Sequence, residues 1–166
     1  MKGAQFITFL LLLMLLGAAE AQQQLIPEFK EYPAEEVFSG ASAKPKLTSA
    51  RARMFRTNIR TQAAEGPNFA GRYRIVTWGC GTSCIQFAII NCNTGDVYFA
   101  PMAETVEAVI PPGQSEEMLE YRPDSRLLII AGAKDDSQKH RAEGRFFYEW
   151  KKGRLVLIQR MNLAKN

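Results

Sequence analysis

Histidine is almost missing from this chain: His140 stands alone among 166 residues. One imidazole excludes multi-histidine metal sites and any catalysis shared between two histidines. Cysteine is scarce as well. Cys80, Cys84 and Cys92 allow at most one internal disulfide and leave one thiol over. Charge of one sign is lacking too: 21 basic against 17 acidic side chains leave +4, which is no nucleic-acid signature. The apolar run from Phe6 to Leu16 is broken by Thr8 and falls short of the roughly 20 residues that span a bilayer. A Walker loop, a G-x-S-x-G elbow and an H-E-x-x-H helix are all absent. No cofactor, no metal and no nucleic-acid partner are therefore expected.

What is present begins with an address. Lys2 precedes the apolar run, small residues follow it, and Ala19-Glu20-Ala21 fits an A-x-A cleavage site. Residues 1–21 thus read as a secretory signal peptide, with a periplasmic or secreted destination and no stable membrane insertion after cleavage. Residues 22–46, interrupted by Pro27, Pro33 and Pro45, read as an extended lead-in, partly ordered at best. Leu25, Ile26, Phe29, Tyr32, Val37 and Phe38 are its candidate anchors. Residues 47–166 read as a single β-rich domain.

From Thr48 to Glu65 the spacing predicts one amphipathic helix. Thr48 or Ser49 serves as N-cap, Ala52, Phe55, Ile59 and Ala63 form the apolar stripe, and Gly66-Pro67 ends it. Arg53, Arg56 and Arg60 make a second stripe. It is either a solvated flank whose stems cover the core edge or a site for an anionic partner.

The rest reads as strand. Arg72 to Trp78 alternates, Ile85 to Ile90 follows, and Asn91 to Asp96 carries turn chemistry before Val97 to Ala100. Residues 102–110 read as a short strand or a loop, and Ser115 to Leu119 as one helical turn. Leu127 to Ala131, Phe146 to Trp150 and Leu155 to Gln159 complete a second group of strands. Two similar units emerge, Ile75–Ala100 and Leu127–Ile158, offset by about 50 to 60 residues. The expected class is α+β: about six mainly antiparallel strands in two three-stranded meanders, with one N-terminal helix.

Asn68-Phe-Ala-Gly-x-Tyr-x-Ile-Val-x-Trp-Gly-Cys-Gly-Thr-x-Cys84 resembles the signature of a group of small exported bacterial proteins with no assigned activity. The resemblance covers residues 48–160 and implies export and a β-rich fold. It brings no catalytic residues with it. Tyr121-Arg-Pro-Asp-Ser-Arg-Leu-Leu-Ile-Ile-Ala-Gly132 also resembles the opening of a β-propeller blade. Two blades do not close a propeller, which implies one sheet or a small sandwich.

Strand geometry decides the cysteine pairing. Cys84 and Cys92 lie on one nearly continuous strand, about 26 Å apart at roughly 3.3 Å per residue. A disulfide needs Cα atoms within about 7 Å, which Cys80 and Cys84 satisfy across a Gly-Thr-Ser loop. Cys92 is either a small buried residue or a reactive thiol. Trp78-Gly-Cys-Gly-Thr-Ser-Cys84 resembles the thioredoxin-type motif, but a strand follows where that motif opens a helix. Around the disulfide, Gly79, Gly81 and Thr82 offer a backbone nest for an anion, and Trp78 is either core or a docking point.

The preferred expectation is an exported binding or inhibitor module without catalysis, whose partner is an unknown protein or envelope component. The alternative is a small enzyme. It would be a hydrolase using His140 with the acids Glu35/Glu36, Glu116/Glu117 or Asp135/Asp136, or a thiol oxidoreductase using Cys80 and Cys84.

Overall fold

The computed structural model describes residues 25–109, 117–136 and 138–162. The expected signal peptide, Pro111-Pro112-Gly113 and Glu116 lie outside the described residues. Among the described residues, eight strands form one antiparallel sheet: β1 (Tyr73–Gly81), β2 (Cys84–Asn91), β3 (Val97–Phe99), β4 (Thr105–Glu107), β5 (Leu119–Tyr121), β6 (Leu127–Asp135), β7 (Arg141–Lys151) and β8 (Arg154–Met161). The mainly antiparallel class is as expected, but the count of about six strands is corrected to eight. The two added strands are β4, inside the stretch read as a short strand or a loop, and β5, which begins at the last residue of the stretch read as a helical turn.

The sheet path runs β1-β2-β4-β6-β7-β8, with β3 beside β2 and β5 beside β6. β2 gives its second edge to two strands in turn, β4 at Cys84–Ile85 and β3 at Ala88–Ile90. β6 does the same, with β4 at Ala133–Asp135 and β5 at Leu128–Ile130. So β4 joins the two halves at one end, while at the other end β3 and β5 have no pairing with each other. Side chains of the main core occupy the space between the halves. Ile75, Phe87 and Ile89 come from the first half, and Leu128, Phe146, Tyr148 and Trp150 from the second.

Two smaller clusters cover the outer faces. Leu127, Ile129 and Phe147 pack under Phe29 and Tyr32 of the lead-in. That explains why β6 is buried from Leu127 to Ala133 and reads as a continuous apolar run rather than an alternating one. On the other half, Val76, Trp78, Ala88 and Ile90 pack under the helical segment.

That segment is two helices, α1 (Ala50–Met54) and α2 (Arg56–Ala63), where one was expected. The Ser49 hydroxyl accepts from Ala52 N–H at 3.0 Å and starts the first. The stripe is buried as its period demands: Ala52 is 1 %, Ile59 0 % and Ala63 2 % exposed. The break falls at Phe55 (φ −98°, ψ 21°), whose ring stacks on Trp78 with centroids 4.4 Å apart.

The lead-in is extended, and it is fastened along its length. Ala34 N–H donates to Asp124 O, Phe38 N–H to Gly71 O, Ala43 N–H to Cys92 O and Lys46 N–H to Gly95 O. Ser125 Oγ lies 2.8 and 2.9 Å from the carbonyls of Phe29 and Tyr32, which share its one proton. Of the apolar anchors read from the sequence, Phe29 and Tyr32 pack, while Leu25 and Val37 stay exposed. The passing chain fixes two glycines. A Cβ on Gly71 would meet Glu36 O at 1.6 Å, and one on Gly95 would meet Lys44 O at 2.2 Å. Both also hold positive φ, near +77° on average, so any side chain there meets a carbonyl as well as backbone strain.

Candidate functional site

The β1–β2 hairpin ends in a clasped tip. Its pairing runs from Tyr73↔Asn91 to Gly79↔Ile85, then shifts register so that Gly81 faces Cys84 and Cys80 is bulged. Cys80 and Cys84 are bonded, with Cα atoms 5.2 Å apart. The turn itself is Thr82-Ser83, with Ser83 at φ 54°. Gly79 to Ser83 are all exposed. Gly79 and Gly81 both belong to β1, so their backbones serve the ladder.

Directly below the tip the side chains are closely packed. Trp78 is only 7 % exposed; it stacks on Phe55, meets Phe99 edge-on, and donates from Nε1 to Gln86 Oε1 at 2.9 Å. Trp78 therefore braces the tip from beneath. Phe55, between Arg53 and Arg56, ties the helical segment to that brace. The arginine stripe is partly engaged: Arg53 donates to the carbonyls of Thr48 (2.6 Å) and Leu47 (3.4 Å), and Arg56 to Arg53 O. Arg60 borders a cavity of about 580 Å³ between α2 and the lead-in residues Ser42 to Pro45.

Of the groups nominated for catalysis, the described residues bring His140 and Asp136 together, away from the tip. His140 is exposed, with Nδ1 3.1 Å from Asp136 Oδ2 in the β6–β7 turn. The His140 backbone N–H, with help from Gln138 N–H and the imidazole, holds the Asp136 carboxyl below its ordinary range. Glu36 pairs with Arg72, and Glu35 lies 3.7 Å from Arg126. Asp135 sits in the β4–β6 ladder opposite Thr105. Cys92 is a free, buried thiol. Burial pushes its pKa up, against the Ser42 hydroxyl and the Arg74 charge. Among the described residues, no three His, Cys, Asp or Glu side chains gather as a metal site. No described helix is long and apolar enough to cross a membrane.

Sequence reasoning missed a different set. Every outward polar position of β1 up to Thr77 is occupied. Tyr73 exchanges backbone bonds with Phe69. Asn68 donates to Ile75 O at 3.0 Å and accepts from Ile75 N–H at 2.8 Å. Gln62 donates to Thr77 O at 2.7 Å and accepts from Thr77 N–H at 3.0 Å. The motif residues thereby acquire structural tasks: Asn68 seals the edge, Phe69 is core, and Gly71 lets the lead-in pass. The available signal was an amide directly after the Gly66-Pro67 helix stop.

Trp150 holds the middle of the molecule. It is 4 % exposed, lies edge-on to Tyr73 and Tyr98, and separates two concavities of about 290 and 260 Å³. The larger is rimmed by Arg72, Arg126, Lys151 and Lys152 against Glu35 and Glu36. The Trp150 indole N–H has no acceptor among the described residues. No family model, no curated protein and no solved structure matches this chain.

Proposed function

We propose that this chain is an exported, non-catalytic binding module of the bacterial envelope, an inhibitor of an envelope enzyme or a partner of a cell-wall component. The carrying observation is the exposed Gly79–Ser83 tip, closed by the Cys80–Cys84 bond and braced by Trp78 on Phe55. A loop held rigid before contact loses little conformational freedom on binding, which is how small binding modules gain affinity. The bonded pair fits an oxidising compartment, and the A-x-A site supplies the route there. The likeness of the Asn68–Cys84 motif to small exported bacterial proteins belongs to the same proposal.

A photoreactive residue placed at Thr82 in living cells tests the reading: it captures an envelope component, and the same residue at exposed Lys139 captures none. Capture from neither position, together with a turnover abolished by His140→Ala, would favour the enzyme reading. That second reading rests on the His140–Asp136 pair at 3.1 Å. The thiol version is checked in glutathione buffers. A structural clasp resists reduction below about −300 mV, whereas reduction near −120 to −200 mV marks an oxidising catalyst.

A further inference from the structure

β8 is the last strand of the sheet path and pairs only with β7. Along it, Val156, Leu157 and Ile158 are exposed in succession. Side chains two apart share a face of a strand, so Leu157 points the same way as Leu155. Yet Leu155 is 6 % exposed and Leu157 is 52 % exposed. The core face of the sheet is unfinished at this strand. A register shift follows: Tyr148 faces Leu157 and Phe147 faces Gln159, leaving Ile158 without an opposite residue. Among the described residues, no hydrogen bond reaches the outer backbone edge of β8 from any other element. An apolar edge of this kind is a template for a further strand.

Charge decides whose strand it is. Lys151, Lys152, Arg154, Arg160 and Lys165 are the charged residues of segment 150–166, which holds no acid. The acids nearest on β7 are already engaged, Glu149 by Arg126 and Glu143 by Arg141. Arg160 is anchored through Glu143 O and lies over the Phe146 ring, and among the described residues no carboxylate pairs with it. A second copy laid along β8 would bring two uniformly basic strands together, and like charges across a ladder repel. We propose that β8 is the docking edge for an extended acidic segment of a partner protein. Its apolar residues cover Leu157 while its alternating carboxylates, on the other face, meet Arg154, and Arg160 adds positive charge at the far end of the edge. This edge lies at the opposite end of the sheet path from β1 and its clasped tip, so either surface can fail without the other.

The test titrates the isotope-labelled full chain with a short capped peptide alternating valine with glutamate, and with its lysine counterpart. Expected are saturable amide shifts along Arg154–Met161 and at least about tenfold tighter binding of the glutamate peptide, weakened by salt. Leu157→Lys reduces that binding at least about tenfold at an unchanged unfolding midpoint, and Leu157→Val retains it. Equal affinity for both peptides, or no saturation, overturns the proposal. So do shifts confined to Gly79–Ser83. Protection of β8 amides that grows with protein concentration alone overturns it as well, because the occupant is then a second copy.

Discussion

The sheet ends differently at its two margins. Along β1, two side-chain amides stand where a neighbouring strand would: Asn68 against Ile75 and Gln62 against Thr77, each giving and taking one bond. A carboxamide has the donor and acceptor of a peptide group, so each amide acts as one residue of a missing strand. Along β8 no described residue plays that part, and three apolar side chains face solvent instead. Hydrophobicity alone does not explain the contrast, because β1 also carries Ile75 and Val76. What differs is the neighbouring chain. The turn after Gly66-Pro67 carries Asn68 back along β1, whereas β8 is followed by no further described element. A sealed margin stabilises one chain; a bare margin flanked by arginines is protected from its own kind by repulsion.

The largest expected effect comes from unsealing β1. Asn68→Ala leaves a part-buried N–H and C=O unpaired and lowers unfolding stability by about 3 kcal/mol, read from urea denaturation. Gln62→Ala costs less, about 1.5 kcal/mol, since its strand position is nearer the exposed tip. A loss under about 0.5 kcal/mol for Asn68→Ala would show that water seals the edge equally well.

The β8 margin is sharpened by alkali. Burial pushes the Tyr148 phenol up to about 12, and Tyr148 faces Leu157 across the ladder. The folded value lies above that of unfolded tyrosine, near 10, so this contribution is intact below pH 10 and lost as pH climbs towards 12. The loss amounts to about 2 kcal/mol, followed by tyrosinate absorbance alongside unfolding. If β8 frays readily, the phenol titrates near 10 before unfolding begins. The smallest effect is Leu157→Lys, which alters stability by less than about 0.5 kcal/mol because the side chain is already half exposed. A larger loss would mean that β8 is part of the core after all.

Local features were legible in the sequence, and long-range ones were not. The stripe of Ala52, Ile59 and Ala63 has a period, so its burial could be read; the break at Phe55 depends on Trp78, far along the chain. Cys80 and Cys84 are close in sequence and flanked by strands, so their bond followed from geometry. β4 and β5 are too short for any pattern, and they are what join or flank the two halves. Arg53 looked like a free cation, yet it holds the carbonyl of Thr48. Asn68 and Gly71 stood out as motif residues, but their reasons lie elsewhere: the free edge of β1 and the carbonyl of Glu36. An amide that replaces a strand cannot be recognised until the order of strands is known.

The lead-in imposes an order of assembly. A chain leaves a ribosome, or a translocation pore, with its N-terminus first. The segment from Phe29 to Lys46 thus appears before everything that fastens it. Its hooks are Gly71, Cys92, Gly95, Asp124 and Ser125, and the bond from Ser125 to Phe29 spans 96 positions. Until β6 has begun to emerge, its first part, Phe29 to Ala34, has nowhere to lie, and closing so long a loop slows the final step. During that interval Phe29 and Tyr32 stand unburied and open to a chaperone or a protease. A segment made before the sheet is among the last parts to be fixed.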